Sequence, residues 1–203
     1  MPSPYEAVLG ERLTELHPRL APYFRQLPPG SHGVGIGVFD TVGTPRRWLW
    51  PLLALVAPAH VAFPVWERDV PFTVLNSPHP AGVRAERVFR LRSGERTMVD
   101  LISAESDALV DRLGAPVRFE TRLRAFVVDG GLRLESIASA VRFRRVRVPL
   151  PRFAGPRITL TERYDAVRDA QRVEIAVVAP VIGRLYEYAG TFRYEIRTGE
   201  RRA

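Results

Sequence analysis

Cysteine and lysine are both missing from this chain of 203 residues. Without cysteine there are no disulfides, no thiolate nucleophile and no cysteine-bound metal. Without lysine, all thirty basic residues are arginine, and they leave a net charge of +8. Arginine's planar fork binds phosphates and carboxylates, so a nucleic-acid role has to be weighed. Against it, many arginines alternate with acids along expected strands, no recognition helix is visible, and few aromatics interleave with the basic residues. Codon bias, with arginine in lysine's solvating role, is the plainer reading, and nucleic acid is not an expected partner. One stretch departs from it: Arg142, Arg144, Arg145, Arg147, Arg152 and Arg157 fall in a segment with no acid. Through Arg142, Arg144, Arg145 and Arg147 that segment suggests an anionic membrane surface as a partner.

Catalytic motifs are missing as well. The histidines are His17, His32, His60 and His79. No two have metal-ligand spacing and no HExxH occurs, so neither metal nor cofactor is expected. There is no GxSxG elbow, and Ser31 beside His32 lies in a glycine- and proline-rich loop, which leaves the catalytic residues unknown. Carboxylates such as Glu67, Asp69, Glu105, Glu120, Glu135 and Glu162 lie near arginines on expected strands, where surface ion pairs are the default. The N-terminus lacks the basic start and apolar centre of a secretory signal, so a cytoplasmic location is expected.

What is present is one long uncharged run, Trp48 to Trp66, interrupted only by His60. It approaches the length of a membrane-spanning helix, about 20 residues. Yet Pro51, Pro58 and Pro64 break it, each interior proline costing a helix about 3 kcal/mol. The segment must be buried by the rest of the chain or rest on an apolar partner.

Ser3-Pro4-Tyr5-Glu6 opens a helix with a capping box, and Tyr5, Val8, Leu9, Leu13 and Leu16 recur on one face. His17-Pro18 should end that helix, with a further turn reaching Arg25. In GVGIGVFD, Val34, Ile36 and Val38 share one side of a strand. Gly33, Gly35 and Gly37 occupy the other, as if another backbone came close there. A short helix from Arg47 to Ala57 follows. From Trp66 to Arg197 the pattern is strand after strand, with Asp129-Gly130 a type I′ hairpin signal. In the last strand Tyr186, Tyr188, Phe192, Tyr194 and Ile196 share a face that Gly190 interrupts. One domain over 1–203 is expected, of the α+β, β-rich class: a strongly curved antiparallel sheet or β-barrel of about nine strands. N-terminal helices would pack on or into it, with 1–27 as a helical cap, 47–57 as an apolar helix and 66–197 as the strands.

The chain also resembles a bacterial family catalogued only as a domain of unknown function (DUF 4166). The resemblance rests on Leu9-Gly10, Leu16-His17-Pro18, Trp66-x-Arg68 and Pro180-x-x-Gly183-x-Leu185-x-x-Tyr188-x-Gly190. Members of that family stand alone or are fused to Rossmann-type reductases resembling saccharopine dehydrogenase. The resemblance therefore implies a reductase partner and an involvement with small or lipid-like molecules, and carries over no catalytic residue.

A curled sheet can enclose more space than its side chains fill. The leading expectation is a binding module for an apolar or amphipathic small molecule in a barrel cavity. His17, His60, Trp66, Arg68, Tyr186, Tyr188 and Tyr194 are its candidate ligand contacts. Two other classes stand beside it. One is an enzyme, or an auxiliary domain of a Rossmann-type oxidoreductase, using His60 or His17 with Arg68. The other is a peripheral membrane-surface protein that dips Trp48 to Trp66 into the interface.

Overall fold

In the computed structural model, which describes residues 2–151, 153, 155–180 and 182–199, twelve strands make a single antiparallel sheet. They are β1 (Ser31–Gly43), β2 (Trp66–Glu67), β3 (Val70–His79), β4 (Gly82–Leu91), β5 (Gly94–Glu105) and β6 (Ala108–Leu113). The second half adds β7 (Phe119–Val128), β8 (Gly131–Phe143), β9 (Val146–Leu150), β10 (Arg157–Asp165), β11 (Ala170–Ala179) and β12 (Gly183–Thr198). Ten of them run in the closed order β1-β3-β4-β5-β6-β7-β8-β10-β11-β12 and return to β1, with β2 and β9 as additions. Closure leaves the ten-strand wall without a free edge, the solution expected for long strands with one apolar face. The expected strongly curved sheet or barrel is thus a closed barrel.

The barrel shuts at β8, which changes partner along its length. Leu132 to Glu135 pair with β10, whereas Ser139 to Phe143 pair with β9. At the fork the Ser136 hydroxyl accepts a hydrogen bond from the Ile158 N–H at 2.8 Å. The β8–β9 hairpin therefore flares away from the wall. At the other end of β8, Asp129 and Gly130 both have positive φ, +50° and +72°, as a type I′ hairpin turn requires.

Phe39 of β1 is inward, and its side chain stacks on Phe72 and Phe89 of β3 and β4, with Tyr188 tilted beside it. Gly33, Gly35 and Gly37 share that inward face, while Ile36 and Val38 look outward. A Cβ at Gly33 would collide with the Tyr194 ring, and one at Gly37 with the Thr191 carbonyl 2.0 Å away. The close approach expected from these glycines is real, and at Gly33 and Gly37 it comes from β12.

Because neighbours are antiparallel, the strand ends alternate between two mouths. The first is closed by the N-terminal segment: α1 (Pro4–Leu9), a 3₁₀ stretch to Glu15, and α2 (Ala21–Phe24). The capping box forms as the sequence suggests, the Ser3 hydroxyl accepting from Glu6 N–H and the Glu6 carboxylate from Ser3 N–H. Tyr5, Leu9, Leu13, Leu16, Leu20 and Phe24 are buried against Leu109, Leu123, Leu132 and Leu134 of the barrel. The helical stretch ends at Glu15, three residues before Pro18, and Leu16 is already extended.

The second mouth is crossed by the long β1–β3 connection, where α3 (Trp50–Val56) sits between 3₁₀ turns at Arg47–Leu49 and Ala57–Ala59. The uncharged run divides in two here. Ala59, Val61, Ala62, Phe63 and Val65 enter the core, while no residue of α3 is fully buried. Leu53 and Val56 rest on the core, and Leu52 and Leu55 face away from it. No helix among the described residues is long and apolar enough to cross a membrane.

Candidate functional site

The barrel interior is packed. Two hollows among its described residues measure about 20 and 10 Å³, room for about one water each. A ligand-sized space needs about 300 Å³ or more. The open container expected from the sheet's curvature is therefore absent in this conformation, because aromatic rings and the two closing segments fill it. Two larger hollows are open clefts on the outside: one at the β8 fork, one beside Asp40, Arg163 and Arg172.

What distinguishes the interior is charge. Inward positions of β4, β5 and β6 carry Arg87, Asp100 and Asp111, each between apolar residues two places away. Register explains how they meet. Arg87 pairs across with Met98 and Ala85 with Asp100, so Arg87 and Asp100 are diagonal neighbours on one face. Their side chains form an ion pair, 14% and 4% exposed. Asp111, opposite Thr121 on β7, lies one strand further round, and its Oδ1 is buried with no partner. On β10 Glu162 also points inward, accepting a hydrogen bond from Gln171 Nε2. Arg87 and Glu162 border the smaller hollow together with Tyr23 and Tyr188. Arg87 and Asp100 also border the larger one, with Tyr5, Tyr23, Tyr194 and Asn76.

Burial decides the ionisation. Desolvation, helped by the Asp100 charge, pushes the Asp111 carboxyl up to about 8. Desolvation raises Glu162 to about 7, against the pull of Gln171 and Arg87. Burial would pull Arg87 down, but Asp100, Tyr188 and Tyr23 reverse that, and it is raised well above its usual value. Near neutral pH the chamber thus holds one firm ion pair, one protonated acid and one acid poised between its two forms. The Tyr23 and Tyr194 hydroxyls adjoin the Asn76 side chain, whose Oδ1 is orphaned. Such a set can donate and accept hydrogen bonds within one dry space. Asp100, Asp111 and Glu162 hold no cation site, since no group of three metal-ligating side chains gathers among the described residues.

Sequence reasoning missed these four residues. Glu162 and Glu120, expected as surface ion-pair formers, are corrected here: both are buried. Glu120 is held by Arg142 and Arg147 at 2.7 and 2.6 Å, with Arg112 at 3.6 Å. Burial opposes its ionisation, but the hydrogen bonds from Arg147 and Arg142 outweigh that and lower its pKa. Two of the four arginines expected to meet a membrane are thereby occupied, and Arg152 lies outside the described residues.

Of the ligand contacts singled out from the sequence, Tyr188 and Tyr194 border the chamber's hollows and the others do not. Tyr186 and Tyr188 are inward and packed, the Tyr186 hydroxyl facing the Phe63 backbone without a well-formed hydrogen bond. Tyr194 is half-buried at the chamber's edge. His17 is exposed on the first mouth's rim, where its ring stacks on Tyr164 at 4.4 Å. His60 serves as a fastener at the second mouth. Its Nδ1 donates to the Thr97 carbonyl at 3.1 Å, and its own carbonyl accepts from Val99 N–H. Trp66, in β2, and Arg68, just after it, are exposed at that same mouth. His60 and Arg68 are therefore not brought to the chamber that holds Arg87.

The chain matches the family described as "Domain of unknown function (DUF4166)" over residues 16–192, and it belongs to that family. It is 26% identical over 197 residues to "Uncharacterized protein YndH" of Bacillus subtilis (strain 168), an alignment covering 90% of this chain and 92% of that one. No solved structure matches the chain.

Proposed function

We propose that this member of a family without an assigned reaction is a binding module. Its ligand is an amphipathic small molecule, taken into the barrel beneath the N-terminal lid. One observation carries the reading: Arg87, Asp100, Asp111 and Glu162 are gathered in an interior that apolar side chains could fill at lower cost. Buried ion pairs are often no better for stability than apolar residues of the same volume, and unpaired buried polar atoms are worse. A polar chamber is therefore a liability to the bare fold and an asset to a molecule with a hydrogen-bonding head.

The lid sets the ligand's other half. Entry requires Tyr5, Leu9, Leu13, Leu16, Leu20 and Phe24 to leave their seats, each worth about 1.5–3 kcal/mol of burial. A ligand restores that only by bringing an apolar tail of comparable area. Among the described residues the lid's polar links to the barrel are few, among them His17 N–H to the Gly130 carbonyl at 2.8 Å, Arg19 to Asp169 at 3.0 Å and the Tyr23 hydroxyl to the Asn76 side chain. Lifting it therefore breaks mainly apolar contacts, which the tail can replace.

Native mass spectrometry of detergent-free protein, before and after organic extraction and again after exposure to a total lipid extract, tests this reading. A bound small molecule should be present, leave on extraction and return on exposure. The double variant Arg87→Met, Asp100→Leu removes both members of the ion pair together, so that neither is left without its partner, and should stay folded yet lose the adduct. Bare protein throughout, or an adduct indifferent to that variant, overturns the proposal.

A further inference from the structure

The two mouths differ in chemistry. Among described residues, the connections of the second mouth, with the short strands β2 and β9 (44–69, 92–93, 114–118, 144–156, 180–182), carry eight arginines and two acids. The lid and loops of the first mouth (2–30, 80–81, 106–107, 129–130, 166–169) carry six acids and four arginines. Exposed apolar side chains follow the arginines. Of the fifteen large apolar residues left exposed among those described, ten lie on the connections, outer strands or strand ends of the second mouth. All three tryptophans of the chain, Trp48, Trp50 and Trp66, belong to its β1–β3 connection.

Two projections dominate this surface. On the first, Trp48, Leu52 and Leu55 are 61%, 59% and 77% exposed beside Arg46 and Arg47. The second is the flared β8–β9 hairpin with its following loop, where Phe143 and Phe153 are 64% and 80% exposed around Arg144 and Arg145. Large apolar side chains exposed in groups at one end, instead of scattered singly, point to an interaction site in a folded protein. Arginine flanking tryptophan and leucine is the chemistry of a membrane interface: apolar side chains enter the acyl boundary and guanidinium groups meet lipid phosphates. A nucleic acid would use the arginines and leave Leu52 and Leu55 in water.

We infer that the second mouth is a docking surface for an anionic phospholipid bilayer, with α3 and the β8–β9 hairpin as its two anchors. The lid mouth, being acidic, faces away. This inference does not rest on the ligand proposal, since it uses none of the chamber residues.

Vesicle flotation tests it. Intact protein should float with phosphatidylcholine–phosphatidylglycerol vesicles and far less with phosphatidylcholine alone, and added salt should weaken the association. Arg144→Ala with Arg145→Ala should cut partitioning by about fivefold per arginine removed. Leu52→Glu with Leu55→Glu should abolish flotation while leaving the far-ultraviolet dichroism unchanged. Val167→Glu, at the other mouth, should have no effect. Tryptophan emission should shift to the blue on binding, because every tryptophan lies at the docking mouth. Failure of the wild-type protein to float with anionic vesicles at low salt overturns the inference. Arg144→Ala, Arg145→Ala and Leu52→Glu, Leu55→Glu variants that float like the wild type overturn it too. So does a result in which Leu52→Glu, Leu55→Glu only converts a dimer to a monomer, making the patch a self-interface. Loss of flotation with a retained ligand adduct, or the converse, separates this inference from the ligand proposal.

Discussion

A charged residue between two apolar neighbours of the same strand face is the smallest feature that matters in this molecule. Arg87 lies between Ala85 and Phe89, Asp100 between Met98 and Ile102, and Asp111 between Leu109 and Leu113. Those spacings were visible in the sequence, since side chains two apart share a face. What hid them was arginine's abundance: with thirty on the chain, an arginine near an acid reads as a surface pair. The aromatic row of β12 was legible for the opposite reason, because no charge interrupts Tyr186, Tyr188 and Phe192. A consequence at this scale is acid–base linkage. Asp111 and Glu162 hold their protons when folded at pH values where the unfolded chain releases them. Unfolding then releases protons, so stability should fall as pH rises from the ordinary carboxylate range to about 7 for Glu162 and about 8 for Asp111. Each group adds at most about 1.4 kcal/mol per pH unit to that slope. Glu162→Gln should flatten the profile and leave the variant more stable than the wild type above pH 7, as read by denaturant titration across pH. A wild-type profile flat from pH 5 to 8 would contradict the burial of these acids.

Among the elements, those with a local signal were legible and those made by long-range pairing were not. Ser3 and Glu6 announce α1, and Asp129-Gly130 announces the β7–β8 turn. The forking of β8 between β9 and β10 has no such signal, because a strand's own sequence does not say where it changes partner. The run from Trp48 to Trp66 posed a choice between burial and an interface, and the chain makes both: its second half enters the core while α3 stays outside. Ser3 has a second task that only the fold reveals. Buried, its hydroxyl donates to the Phe24 carbonyl at 2.5 Å while accepting from Glu6 N–H, tying the lid's two helices together. Ser3→Ala should cost about 1–2 kcal/mol, for a lost cap and an unpaired buried carbonyl. The loss should show as earlier proteolysis within residues 4–25, with the barrel's main unfolding transition little moved. Equal loss across the whole molecule would mean that lid and barrel are one cooperative unit.

On the scale of the whole molecule, a closed wall separates two unlike ends, one acidic and plugged by the lid, the other basic and greasy. The acidic end was not legible in the sequence as a unit, and of the basic end only two segments were, Trp48 to Trp66 and Arg142 to Arg157, both read toward a membrane surface. Each end gathers residues far apart in the chain, and only strand order and direction sort them. The account depends on the lid being able to open while the wall remains shut. Native-state hydrogen exchange measures this directly, amide by amide. The account predicts that lid amides in residues 5–24 exchange through a local opening well below the free energy of global unfolding, and that a bound ligand slows them. Lid amides protected as strongly as those at the centres of β1, β3 and β12 would contradict it.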